Sequence, residues 1–496
     1  MNKKPNIVFI LADDQGAWAM GCAGNNEIKT PNIDKLAENG ILFNNFFCAS
    51  PVCSPARASI LTGTIPSVHG VHDWLRGGNL DYDKLSHLKY APRYKDFDSE
   101  HKPIAYLENF TAYTDILAEN GYNCALSGKW HLGDSINPRH GFSKWFTIGR
   151  GGCEYFDADV VKDGEVKYAE GYITDIITDN ALENLNDLCK KDNPFYLSVH
   201  YTAPHSPWDE GNHQKEYLNL YRDCEFLSVP DLEPHPWNAG TAPSGKGEDR
   251  KELLRGYFAA ITSMDSNIGK IISKLESEGV LDNTIIIFTS DNGMNMGHHG
   301  IWGKGNGTFP QNMYDTSVKV PFIIYYNKTI QPAVCDKLVS HYDIFPTLMD
   351  YLKLPYRTKQ ELVGNSFAPV LKGSIDSLTN KDFVVIFDEY GPVRMIRDTV
   401  WKYVHRYPYG PNELYNLKDD PDEENNLVES PQFTDIKEKL KNDLDGFYIR
   451  CADPNVDGTR EAVTGLGQLR RAGLYSEGKA VYCRPGWASP SPTCII

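Results

Sequence analysis

Asn6-Ile7-Val8-Phe9-Ile10-Leu11-Ala12-Asp13-Asp14-Gln15 decides the fold of this 496-residue chain. Ile7 to Ala12 is apolar at every position, with no alternation. A strand buried on both faces of a parallel sheet reads that way, whereas a half-solvated strand alternates. The run stops at two adjacent carboxylates. Burying them without a partner is costly, and the carboxyl end of a strand in an open α/β sheet is where ligands bind. A solvated turn also uses Asp. The functional reading of Asp13 and Asp14 is a pair of hard oxygen ligands for Ca²⁺ or Mg²⁺.

Working outward, the same pattern recurs. Tyr122–Leu126 runs into Ser127-Gly128-Lys129-Trp130-His131, and Pro194–His200 into Tyr201-Thr202-Ala203-Pro204-His205. Thr284–Ser290 runs into Asp291-Asn292-Gly293, and Pro321–Tyr326 is a further buried run. Between them lie helical stretches at 30–40, 113–121, 172–191, 250–279 and 341–352. This predicts an α/β fold: a large, doubly wound, mixed but mostly parallel sheet flanked by helices. Near residue 375 the character changes. Strand-like runs at 383–389, 393–397 and 400–406 with short connections predict a smaller antiparallel sheet, followed by a helix near 433–446. The predicted domains are 1–375, catalytic, and 376–496, with the small sheet, a helix and an irregular tail from Cys451. Residues 72–110 are polar and aromatic without periodicity and fit an insertion that shapes a pocket.

The net charge of −16 argues against a nucleic-acid partner. No apolar run is long enough to span a bilayer, so no membrane partner is expected. No apolar leader precedes Asn6, which reads as cytoplasmic, or as periplasmic or secreted if a signal has been trimmed. The 11 cysteines form no CxxC pair. Their odd number fits free thiols, or five disulfides plus Cys53. His298 and His299 would suit zinc, but no nearby Cys or third His supports it.

The second decisive stretch is Cys53-Ser54-Pro55-Ala56-Arg57, followed by Leu61-Thr62-Gly63. Pro55 suits a first helical turn. Cys53 then sits at a helix N-terminus, where the dipole favours an anion and lowers a thiol pKa, making it a candidate nucleophile. Arg57, one turn on, sets a fixed positive charge beside it. Lys129 and His131 alternate with Trp130, so an extended chain points both to one face.

Cys-x-Pro-x-Arg resembles the signature of the sulfatase family, in the alkaline phosphatase superfamily. Asp13-Asp14, Gly128-Lys129-Trp130-His131-Leu132-Gly133, the strand followed by Pro204-His205, and Lys304 in its Gly-rich loop are similar to further motifs of that family. The resemblance runs from residue 5 to about 427. It implies that Cys53 is converted by a maturation enzyme to formylglycine, whose hydrate attacks sulfur. It implies a metal site of Asp13, Asp14, Asp291, Asn292 and residue 53, holding Ca²⁺, with Mg²⁺ second. Arg57, Lys129 and Lys304 would neutralise the sulfate oxygens, and His205, not His200, would contact the sulfate. His205 or Lys304 would protonate the leaving alcohol, and His131 would take the proton that lets sulfate leave. The expected function is sulfate ester hydrolysis, on a sulfated carbohydrate first and a small aryl or alkyl sulfate second. A phosphoester or phosphonate hydrolase of the same superfamily is one alternative, and a non-catalytic metal-dependent binding protein is the other.

Overall fold

The computed structural model describes residues 3–85, 102–374, 382–388 and 392–483. At its centre is a ten-stranded sheet whose strands, in spatial order, begin at Ala333, Ile41, Phe322, Thr284, Asn6, Phe195, Asn123, Phe142, Phe156 and Glu165. Thr284–Ser290, Asn6–Ala12, Phe195–His200, Asn123–Gly128 and Phe142–Ile148 run parallel side by side. Phe322–Tyr326 joins one side antiparallel, and the hairpin Phe156–Lys162 with Glu165–Tyr172 closes the other. The sheet is therefore mixed and mostly parallel, as the apolar runs predict.

The unbroken apolarity of the first strand now has its cause. Ile7, Phe9 and Leu11 face a core shared with Ile60, Tyr113 and Phe345. Val8, Ile10 and Ala12 face the opposite core, with Ile177, Leu185, Met264 and Ile268. Helices Ile173–Leu188 and Gly247–Ser277 cover that second face. The latter, at 31 residues, is about 46 Å long at 1.5 Å per residue. The hairpin at 156–172 escapes the sequence pattern because its outer strand, Glu165–Tyr172, is largely exposed and carries Glu165, Lys167 and Glu170 in place of an apolar face.

The second sheet is antiparallel: Val384–Asp388, Val393–Arg397, Trp401–Arg406 and Glu413–Asn416. Helix Thr434–Cys451 seals it, with Leu440, Leu444, Phe447 and Tyr448 packing on Val385, Phe387, Ile396 and Tyr403. The boundary near 375, Glu389, part of the 72–110 insertion (86–101) and the end of the tail (484–496) fall outside the described residues. The described part of the tail packs back on the segment after helix Cys53–Thr62, with Gln468 bridging to Leu75 and, within the tail, to Tyr482. Among the described residues no two cysteines are joined in a disulfide. Among the described residues no helix is long and apolar enough to cross a membrane.

Candidate active site

Parallel register assembles the site. Ala12 lies opposite Ser290, so Asp13 and Asp291 leave the sheet side by side. Gly128 lies opposite His200, so Lys129 emerges on the other flank of Asp13. Here the strands approach too closely for a side chain: a Cβ on Gly128 would stand 1.9 Å from the His200 carbonyl oxygen. Asp14 and His131 both sit at positive φ, 65° and 53°, a region that costs a non-glycine residue energy and that clusters at functional sites. Tyr257 of the long helix braces the first turn, accepting from Gly16 N (3.1 Å) and donating to Asp14 O (2.9 Å). The apolar stripe of that helix concealed this second use of Tyr257.

Helix Cys53–Thr62 points its N-terminus at these strand ends, and every one of its residues is buried. Arg57 donates from Nε to Asp291 Oδ2 (2.8 Å) and from Nη1 to Lys129 O (3.0 Å). Lys129 Nζ lies 2.6 Å from Asp13 Oδ2. Lys304 Nζ lies 2.6 Å from Asp14 Oδ1 and 3.7 Å from Cys53 Sγ. Asn292 Nδ2 donates to Asp14 Oδ1 (2.8 Å), while the Asp14 and Asn292 backbone N–H groups donate to Asp291 Oδ1 (3.2 and 2.9 Å). His205 Nε2 stands 3.7 Å from Asp14 Oδ2. Three carboxylates thus face three cations whose side chains are all at most 6% exposed.

His131 sits at the rim of this group. Its Nε2 is 3.3 Å from Leu75 O, and the loop at Gly151 lies against the ring, where a Cβ would come within 2.1 Å of Nε2. Leu75 N in turn donates to Ser54 Oγ (3.1 Å), which ties this wall to the residue after Cys53. His200 is structural, as expected: its ring bridges Ser198 Oγ (2.8 Å) and Lys129 O (3.0 Å). His298 and His299 do not form a metal pair. His299 stacks on Tyr314 at 3.8 Å, and His298 packs on Trp18.

The electrostatics correct one expectation. The Cys53 thiol is not lowered. Burial pushes it up, and this outweighs the pull of Lys129 and Lys304. The helix terminus alone does not make it a thiolate, since the protein has removed the water that would solvate one. Burial also pushes Asp13 up to about 8 despite Lys129. For Asp14 and Asp291 burial acts in the same direction, but Lys304, with Lys129 behind it, holds Asp14 below its ordinary value, and Arg57, Lys129 and Lys304 hold Asp291 below its own. Lys304 is raised by Asp14 against its burial, so it keeps its proton. Burial keeps His205 neutral, pushing it down to about 4, and with the Lys129, Arg57 and Lys304 charges it pushes His131 well below its ordinary value.

This donor set fits a divalent cation. Asp13 Oδ1 and Asn292 Oδ1 are buried without a hydrogen-bond partner among the described residues. Asp13, Asp14 and His205 offer ligand atoms that all lie within 4.8 Å of one another. Unsatisfied buried oxygens are rare in native proteins, and an ion is one standard partner for them. A cation would also remove the reason for Asp13 to hold a proton.

Comparison with known proteins gives the family. Residues 5–354 match the family model described as sulfatase, and residues 297–449 match the model of the N-sulphoglucosamine sulphohydrolase C-terminal region. An N-acetylglucosamine-6-O-sulfatase of Bacteroides thetaiotaomicron is 27% identical, over 94% of this chain and 90% of its own. An ulvan-active sulfatase of Formosa agariphila is 30% identical, over 89% and 80%. A solved structure of a protein in complex with its substrate, D-glucosamine-2-N,6-O-disulfate, shares the fold at TM-score 0.75 and 24% identity, covering 92% of this chain and all of that one. The chain belongs to the sulfatase family of sulfuric ester hydrolases.

Proposed function

We propose that this chain hydrolyses the sulfate ester of a sulfated carbohydrate by S–O cleavage, with residue 53 carrying the nucleophile. The observation that supports it most is the convergence of Arg57, Lys129 and Lys304 around Cys53, in a chain whose net charge is −16. An anionic substrate meets a repulsive global field, so a local cluster of three buried cations is the feature that admits it. The carbohydrate part draws support from the sugar sulfates that the relatives are named for and from Trp74 and Arg76, both partly exposed, in the described part of the insertion.

Asp13, Asp14, Asp291 and Asn292 would hold Ca²⁺, with Mg²⁺ the second choice, because all four are hard oxygen donors. The ion would act as a Lewis acid toward a sulfate oxygen. Formylglycine at position 53, made by a maturation enzyme, would supply as its hydrate one hydroxyl to attack sulfur and a second through which sulfate is expelled. Arg57, fixed by Asp291 and the Lys129 carbonyl, and Lys129 itself spread positive charge where the sulfate oxygens gather negative charge. Lys304 keeps its proton and lies beside Sγ of residue 53, so it can deliver that proton to the departing alcohol. The Nδ1–H of His205 is used on Ser206 O (2.8 Å), so Nε2, which faces Asp14, would donate to the sulfate once the ring takes up a second proton, a state that the incoming anion favours. With its Nε2–H directed to Leu75 O, His131 presents Nδ1, buried and without a partner among the described residues, as the base for the second hydroxyl.

The test is a panel of 6-O-, 4-O-, 2-O- and N-sulfated monosaccharides and an aryl phosphate, given to protein co-expressed with a maturation enzyme and to its Cys53→Ala variant. Sulfate release from a sugar, lost in the variant, supports the reading. Faster turnover of the aryl phosphate than of any sulfate would favour the phosphoester hydrolase.

A further inference from the structure

Lys304 follows directly on the two-residue strand Trp302–Gly303, which pairs with Asn295–Met296, and the backbone from Lys304 on leaves that ladder. Lys304 stands between Gly303, at φ 129°, and the single turn Gly305–Gly307. Glycine-rich backbone is permissive, yet Nζ must be placed within a few tenths of an ångström to serve both Asp14 and residue 53. Asn312 does this. Its Nδ2 donates to Lys304 O (3.0 Å) and Gly305 O (3.2 Å), and its backbone N–H donates to Gly305 O (3.1 Å). The direction of its carboxamide is set from behind. Asn295 Nδ2 donates to Ser317 Oγ (2.7 Å), which leaves the Ser317 hydroxyl to donate to Asn312 Oδ1 (2.6 Å) and turns Nδ2 toward the loop. Asn295 Nδ2 also donates to Gly303 O (2.9 Å). Three consecutive carbonyls, of residues 303, 304 and 305, are thus held by two carboxamides.

Asn312 is itself anchored on both sides, from the other domain. Arg406 Nε and Nη2 donate to Gln311 O (3.1 and 2.7 Å), and Lys402 Nζ donates to Met313 O (2.9 Å). Both cations belong to strand Trp401–Arg406 of the small sheet, and their side chains are 2% and 0% exposed. We infer that Asn312 is a positioning residue for Lys304, and that the C-terminal sheet reaches the reacting centre through it. This rests on the reading that Lys304 acts on the sulfate.

The experiment is a double-mutant cycle on the matured, full-length enzyme, with Asn312→Ala, Lys304→Ala and both together. Lys304→Ala is expected to lose about 10²–10³ in kcat/KM. Displacing Lys304 through Asn312→Ala is expected to lose on the order of ten- to a hundredfold. Added to Lys304→Ala, the same change costs less than about twofold, because the group it positions is gone. Competitive inhibition by inorganic sulfate weakens in Asn312→Ala only while Lys304 is present. Asn312→Ser replaces Asn312→Ala if the latter does not fold. A harmless Lys304→Ala sinks the reading of Lys304. A damaging Lys304→Ala, combined with an Asn312 effect that is absent or equal in both backgrounds, overturns the inference and leaves Asn312 a general brace.

Discussion

Lys304 and Lys274 are both lysines in an acidic chain, and the structure separates their fates. Lys304 is 6% exposed with Nζ 2.6 Å from Asp14, whereas Lys274 is 23% exposed and pairs with Glu278 one turn along its own helix. An exposed i,i+4 pair is worth roughly 0.3–0.5 kcal/mol, and its field at the site is screened within about 10 Å at moderate salt. Lys274→Ala is therefore expected to turn over like the parent. Removing a preorganised charge from a dry site costs about 2.7–4 kcal/mol of transition-state stabilisation, or ~10²–10³ in kcat. Lys304→Ala carries a second consequence. It strands Asp14 as a buried charge, and breaking a buried pair by removing one partner costs roughly 3–5 kcal/mol of stability. A divalent cation on Asp14 would compensate. The loss in Tm is thus expected in chelator and largely recovered with Ca²⁺, while the loss in kcat/KM persists under saturating Ca²⁺. The assay is initial-rate kinetics and thermal melting of both variants, with and without metal. Equal, small kinetic losses in the two variants, or a Tm deficit in Lys304→Ala that Ca²⁺ leaves unchanged, would refute the placement of Lys304.

Peptide mapping of protein made with a maturation enzyme is expected to show an aldehyde at position 53; active protein carrying only thiol there contradicts the nucleophile. Asp291→Ala is expected to lose the bound metal and activity together, and to fall by about 3–5 kcal/mol in stability because Arg57 loses its buried partner; unchanged metal content by elemental analysis contradicts the ligand set. Burial pushes His72 and His341 down to about 4. Below the ordinary value of about 6.5 the unfolded chain takes up protons that the native one refuses, so stability holds above that pH and falls toward pH 4, by up to about 1.36 kcal/mol per unit per histidine. A Tm unchanged from pH 7 to 4.5 contradicts the buried, neutral assignment.

The strand ends were legible because a parallel sheet covered on both faces leaves apolar runs that stop where chemistry begins. Asp13, Asp291 and Lys129 could be placed by that rule alone, and Cys53 by the proline and arginine after it. What escaped had no such periodicity. Glu165–Tyr172 is an edge strand with little face to bury. Asn312 and Asn295 act through backbone carbonyls of a loop, and nothing in an asparagine's neighbours announces that its amide is occupied. The described part of the tail beyond Cys451 has short turns only, yet Gln468 is fully buried and its carboxamide serves Gly70, His72 and Arg470. Long-range polar bracing of this kind is set by tertiary proximity and leaves no mark on local sequence. The thiol pKa of Cys53 was misjudged for a related reason: the helix terminus is visible in sequence, whereas the depth of its burial is not.

Hydrolysis of a sulfated sugar in ¹⁸O-labelled water tests the central claim most directly. If residue 53 takes the sulfuryl group, the label enters the released sulfate and the sugar hydroxyl keeps its original oxygen. Label in the sugar hydroxyl, with sulfate unlabelled, would mean C–O cleavage and would contradict attack at sulfur by residue 53.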